Sequence, residues 1–124
     1  NASTSLAYRH LTPGNYTIRV IEDNMSNADF SVDNLSDAIG MHRTAMYKKM
    51  QSVTGKTPLQ FIRLMKMKRA HQLMSRGNVL VSQVAYQVGF NQPRKFAQYF
   101  KEQYGVTPSE FLKNTESTNT DKEE

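Results

Sequence analysis

Apolar residues along this chain recur at intervals of three and four, the period of helices that turn one face to a core. Ile18, Ile21 and Met25 mark a first helix over about residues 16–26, after a turn signal at Thr12-Pro13-Gly14-Asn15. Val32, Leu35 and Ile39 mark the buried face of a second. Ser31 stands at its N-cap, Asp33 in its first turn where the helix dipole favours an anion, and Gly40 at its stop. Met46, Met50 and Val53 point a third helix inward, and it ends before Gly55. Pro58 then opens a long helix to about Arg76, roughly 27 Å at the standard rise. Its apolar residues, Ile62, Met65, Met67, Ala70, Leu73 and Met74, spread widely around the axis. So broad a stripe predicts burial on more than one side, as for a rod holding two lobes apart.

The pattern then repeats. Val81, Val84 and Val88 match Val32, Leu35 and Ile39 at a shift of 49, with Gly89 at the place of Gly40. One extra residue in the turn makes the shift 50, and Phe96 and Phe100 fall on Met46 and Met50. The echo closes on Gly55-Lys56-Thr57-Pro58-Leu59-Gln60-Phe61-Ile62 against Gly105-Val106-Thr107-Pro108-Ser109-Glu110-Phe111-Leu112. Pro108 opens a last short helix to about Lys113, and residues 115–124, without an apolar side chain, read as a disordered tail. Short helix, glycine turn, short helix, present twice, is a pair of helix-turn-helix units in an all-α fold.

Charge narrows what such a fold meets. The net charge of the 124 residues is +5, and no Asp or Glu occurs from Ala38 to Lys101. That stretch holds Arg43, Lys48, Lys49, Lys56, Arg63, Lys66, Lys68, Arg69, Arg76, Arg94, Lys95 and Lys101. Solvation accounts for most charge runs, but a basic run with no interspersed acid suits a polyanion that releases counterions on binding. Cysteine is absent, which excludes disulfides and thiolate-bound zinc and fits a cytoplasmic protein. No run of apolar residues is long enough for a membrane span, and no membrane contact is expected. His10, His42 and His71 are scattered without ligand spacing, and no phosphate loop or serine nucleophile motif appears. The expectation is a protein with no catalytic residues, cofactor or metal.

In a helix-turn-helix the second helix enters the major groove of duplex DNA. With Met46, Met50 and Val53 inward, Arg43, Thr44, Tyr47, Lys48 and Gln51 lie on or beside the outer face. In the second copy Arg94, Lys95, Ala97, Gln98 and Lys101 are available. Arg and Lys suit guanine edges, Gln suits adenine, and Thr or Ala meets a thymine methyl. Lys49, Gln51 and Lys101, placed near helix ends, are expected on phosphates with Arg43 and Lys95.

Val84-Ala85-Tyr86-Gln87-Val88-Gly89-Phe90, followed by Phe96-Ala97-Gln98-Tyr99-Phe100-Lys101 and Gly105-Val106-Thr107-Pro108-Ser109-Glu110-Phe111, resembles the DNA-binding domain of the AraC/XylS family of bacterial transcription regulators. Leu35-Ser36-Asp37-Ala38-Ile39-Gly40-Met41, Gly55-Lys56-Thr57-Pro58, and Arg69-Ala70 with Leu73-Met74 extend the likeness. It implies about seven helices over residues 16–114, with helix-turn-helix units at 31–54 and 81–104 and a connecting helix at 58–76. Residues 1–15 read as a linker or a cloning-derived segment. The resemblance places base-reading positions on Thr44, Tyr47 and Lys48, then on Pro93, Arg94, Ala97 and Gln98. Pro93 has no backbone donor and Ala97 no polar head, which leaves Arg94 and Gln98 to carry reading by the second copy. Family members commonly activate transcription by engaging RNA polymerase, and many carry a separate sensing or dimerising domain. Residues 26–32 also resemble members fused behind two-component modules, which implies an N-terminal receiver, sensor or kinase module outside this sequence. Leu80 and Gln92 depart from the small polar caps usual at their positions, and each weakens its helix start by about 1 kcal/mol at most. The competing reading is a helical protein-interaction module that no longer binds specific DNA. A basic RNA binder lacks the aromatic stacking surface expected for single strands.

Overall fold

A computed structural model describes the backbone over residues 13–123 and side chains over 16–115. Seven helices lie among the described residues: α1 Pro13–Asp23, α2 Val32–Ile39, α3 Arg43–Thr54, α4 Pro58–Ser75, α5 Val81–Gln87, α6 Pro93–Tyr104 and α7 Pro108–Glu123. The chain divides into two units. The first takes α1 to α3 and α4 as far as Met65; the second takes Lys66 onward, together with the short segment Ser26–Ala28.

In the first unit Val20, Ile21, Leu35, Met46, Met50 and Ile62 form the core, with Val32, Ile39, Met41 and Phe61 packed against it half-buried. The turn between α2 and α3 closes through the Met41 amide on the Ser36 carbonyl (3.2 Å), while the buried Ser36 hydroxyl donates to the Met41 carbonyl. The second unit repeats the closure, the Phe90 amide donating to the Ala85 carbonyl at 2.9 Å. Its α6 is anchored by aromatic side chains where α3 is anchored by Met46 and Met50. Phe96 and Phe100 are fully buried, and ring contacts run from Phe90 to Phe96 (5.7 Å), Phe96 to Phe100 (5.9 Å) and Phe100 to Tyr104 (4.8 Å). The Tyr104 hydroxyl donates to the Met67 carbonyl at 3.2 Å.

The fifty-residue echo proves to be a helix-stop and helix-start device. Gly55 and Gly105 end α3 and α6 at φ 75° and 80°, backbone angles that a side chain disfavours. Two residues on, the Thr57 hydroxyl accepts from the Gln60 amide while Gln60 accepts from the Thr57 amide, a reciprocal cap. Thr107 and Glu110 do the same for α7. Proline follows each threonine at the first helical position, where its missing amide proton costs nothing.

Four expectations need correction. The first helix starts at Pro13 and ends at Asp23, not over 16–26. Proline's fixed backbone angle suits the first position of a helix as well as a turn, and here the helix takes it. The remainder of the expected linker over residues 1–15, with His10, lies outside the described residues. Val53 is 67% exposed, although its spacing puts it on the stripe of Met46 and Met50. Periodicity reports a helix face but not where the opposing surface stops, and the last turn of α3 runs past the core. The position is Gln103 in the second copy, as a surface site allows. Finally, α7 continues ten residues beyond the expected end at Lys113, through most of the expected tail. No glycine or proline follows Pro108 to break it, and the Thr115 hydroxyl donates back to the Phe111 carbonyl at 2.9 Å. Lys49, expected near a helix end, lies in the middle of α3.

Candidate nucleic-acid interface

Each unit presents the second helix of its helix-turn-helix with the inward residues locked and the outward ones free to solvent. On α3, Met46 and Met50 are buried, and Thr44, Tyr47, Lys48, Lys49 and Gln51 are exposed. On α6, Phe96 and Phe100 are buried, and Pro93, Arg94, Lys95, Gln98 and Lys101 are exposed; Ala97 is half-buried. The residues expected on α3 and α6 are therefore all accessible, with Ala97 the most recessed, while Lys49, two residues after Tyr47, stands on the opposite flank of α3 from it.

The helix starts are built differently in the two copies. Ser31 caps α2: its hydroxyl accepts from the Asn34 amide at 3.1 Å, and Asn34 accepts from the Ser31 amide at 3.0 Å. His42 caps α3, with Nδ1 accepting from the Thr44 amide at 3.2 Å. This requires the neutral imidazole with its proton on Nε2. Neither counterpart, Leu80 before α5 or Gln92 before α6, makes a side-chain cap. The second copy leaves those amides to solvent or to a ligand.

Arg43, the first residue of α3, pairs with Asp33 of α2 at 3.1 Å, both side chains being well exposed. An ion pair in water holds a guanidinium loosely. The pair leaves Arg43 at the positive end of the helix dipole, where an arriving phosphate competes with the carboxylate. Lys66 of α4 is half-buried, its ammonium 5.3 Å from the centre of the Phe90 ring, and burial pushes its pKa below the ordinary lysine value. Sequence reasoning singled out neither Lys66 nor the capping role of His42. Position before a helix was a signal for His42, but histidine is not among the usual capping residues. For Lys66 the signal was a lysine four residues after Ile62 on a helix with a broad apolar stripe.

No group of three metal-ligating side chains occurs among the described residues. No helix among them is long and apolar enough to cross a membrane.

Comparison with known proteins agrees with this architecture. The family model described as "Helix-turn-helix domain" matches residues 35–114. "Histidine kinase P4" of Formosa agariphila is 35% identical over 115 residues, covering 83% of this chain and 8% of its own length. The uncharacterised HTH-type transcriptional regulator YisR of Bacillus subtilis is 32% identical over 83 residues, covering 67% of this chain and 29% of its own length. The chain thus spans less than a third of either relative. Among solved structures, the DNA-binding domain of AdpA in complex with a target DNA superposes with a TM-score of 0.77 at 22% identity, covering 83% of this chain and 92% of that one. The C-terminal domain of the two-component response regulator yesN of Fusobacterium nucleatum gives 0.72 at 21% identity, covering 78% and 94%. With the paired helix-turn-helix units and the matched residues together, the chain belongs to the AraC-type helix-turn-helix family of DNA-binding domains.

Proposed function

We propose that this domain reads one asymmetric duplex site, α3 taking one stretch of major groove and α6 another. The observation that carries this reading is the contrast within the repeat: inward anchors match position for position, while the exposed residues differ, Thr44, Tyr47 and Lys48 against Arg94, Ala97 and Gln98. Lys48 and Arg94 suit guanine edges and Gln98 an adenine edge, while Thr44, Tyr47 and Ala97 offer apolar contact to a thymine methyl. Pro93, exposed at the first position of α6, stands among the base-reading positions as an apolar contact. Arg43, Lys49, Gln51, Lys95 and Lys101 meet phosphates, which fix register without specifying sequence. The names of two similar proteins, a histidine kinase and a two-component response regulator, support an output role behind a signalling module, a sensor, receiver or kinase. We further propose that this cytoplasmic output activates transcription through RNA polymerase.

Binding to a matched duplex weakens steeply with salt in this reading, because each neutralised phosphate releases counterions. A flat salt response overturns it. Arg94→Ala costs roughly 1–3 kcal/mol and relaxes one base position. Equal weakening on every sequence would make Arg94 a phosphate contact instead.

A further inference from the structure

The second copy lacks what holds the reading helix of the first. In the first, the His42 imidazole caps α3 at the Thr44 amide. In the second, Gln92 gives α6 no side-chain cap, so the start of α6 has only its backbone bonds to the Gln92 carbonyl, from the Lys95 and Phe96 amides at 3.1 and 3.2 Å. The turn leading to that start also differs. Position 41 is methionine, and its counterpart Phe90 is an aromatic ring directly after the Gly89 turn. The Phe90 ring touches Phe96 and Tyr99, the inward side chains of the first two turns of α6, at 5.7 and 5.9 Å. On the Phe90 ring sits the Lys66 ammonium.

We propose that Lys66 is a positioning residue for the second reading helix: its ammonium, seated on Phe90, fixes the ring against which Phe96 and Tyr99 rest and so aims Arg94 and Gln98. The inference rests on α6 being a reading helix. A ring face attracts a cation, and the attraction strengthens as water is removed. A lysine kept half-buried where burial disfavours its charge needs a reason, and the ion pair seen among the described residues, Arg43 with Asp33, does not involve it. The first copy has no counterpart to this contact, because Met41 offers no ring.

The test compares Lys66→Met, which keeps the apolar stem without the charge, with Lys66→Arg, whose cation is also attracted to a ring face. Each is measured on a duplex selected by the wild-type protein and on versions altered under α3 or under α6. Lys66→Met lowers the preference at the α6 positions about three- to tenfold, the size of a partly desolvated cation–ring contact. It leaves the α3 positions and the salt slope unchanged, and Lys66→Arg restores the preference. Phe90→Leu breaks the same contact from the other side, and adding Lys66→Met to it has little further effect. A salt slope reduced by about one in Lys66→Met makes the lysine a phosphate contact and overturns the proposal. So does unchanged α6 preference in a folded Lys66→Met protein. If the wild type itself prefers no sequence, the reading of α6 fails first and takes the proposal with it.

Discussion

Replacing Gln92 with serine installs the cap that α6 lacks. Gln92 is exposed, has φ −118° and ψ 105°, and makes no side-chain cap bond. These angles lie in the extended region that N-cap residues adopt, as Ser31 does at φ −106° and ψ 171°. A serine there meets an open amide without strain and gives up almost no buried surface, so the gain is the cap itself, about 1 kcal/mol. Leu80→Ser is the matched control, because Leu80 stands where Ser31 stands in the first copy. It is 63% exposed, so a little over a third of its surface is buried, worth roughly 0.7 kcal/mol when a fully buried leucine is worth about 2. That loss offsets most of the cap, and the net change falls within about 0.5 kcal/mol of zero. Urea unfolding followed by tyrosine fluorescence, suited to a chain without tryptophan, measures both. Gln92→Ser shifts the midpoint upward with an unchanged slope, and Leu80→Ser barely moves it. A Gln92→Ser protein no more stable than the wild type refutes the reasoning, as does an equal gain from Leu80→Ser.

Tyr104→Phe removes the hydroxyl bond to the Met67 carbonyl and costs about 1 kcal/mol at neutral pH. Burial raises the Tyr104 pKa in the folded state above 10.0, so its contribution is fully present below that pH and is lost as pH rises through the folded value. Alkaline unfolding curves should show that part of the decline in the wild type and not in Tyr104→Phe. Asp33→Asn frees Arg43 and removes a negative charge beside the start of α3. Fluorescence anisotropy should show tighter binding to any duplex at low salt, with stability changed by less than about 0.5 kcal/mol as for an exposed pair. Val53→Ser, at a surface that periodicity alone would bury, changes stability by no more than about 0.5 kcal/mol in the same urea assay, where Met50→Ser unfolds the first unit.

Much of the fold was legible because local and global signals agree. The anchors Leu35, Met46, Met50, Val84, Phe96 and Phe100 are buried as their spacing requires, and the glycine, threonine and proline of the echo each act at the position their chemistry favours. The misses fall where a local signal has two outcomes. Pro13 starts a helix as readily as a turn, and Val53 lies on the right face beyond the edge of the core. The polar run after Lys113 lacks a core-facing stripe but also lacks a breaker, and the helix continues. The outward residues of the two reading helices were legible by subtraction from the anchors. Their supports were not, because Asp33 on Arg43, His42 on the Thr44 amide and Lys66 on Phe90 are contacts made in three dimensions by residue types that serve equally well as solvated surface.

Selecting bound sequences from a random duplex pool tests the central claim most directly. Two reading helices with matched anchors and different outward residues predict one enriched site with two unlike halves, the half under α6 losing a single base preference in Arg94→Ala. A pool with no enrichment, or a palindrome with identical halves, contradicts the account.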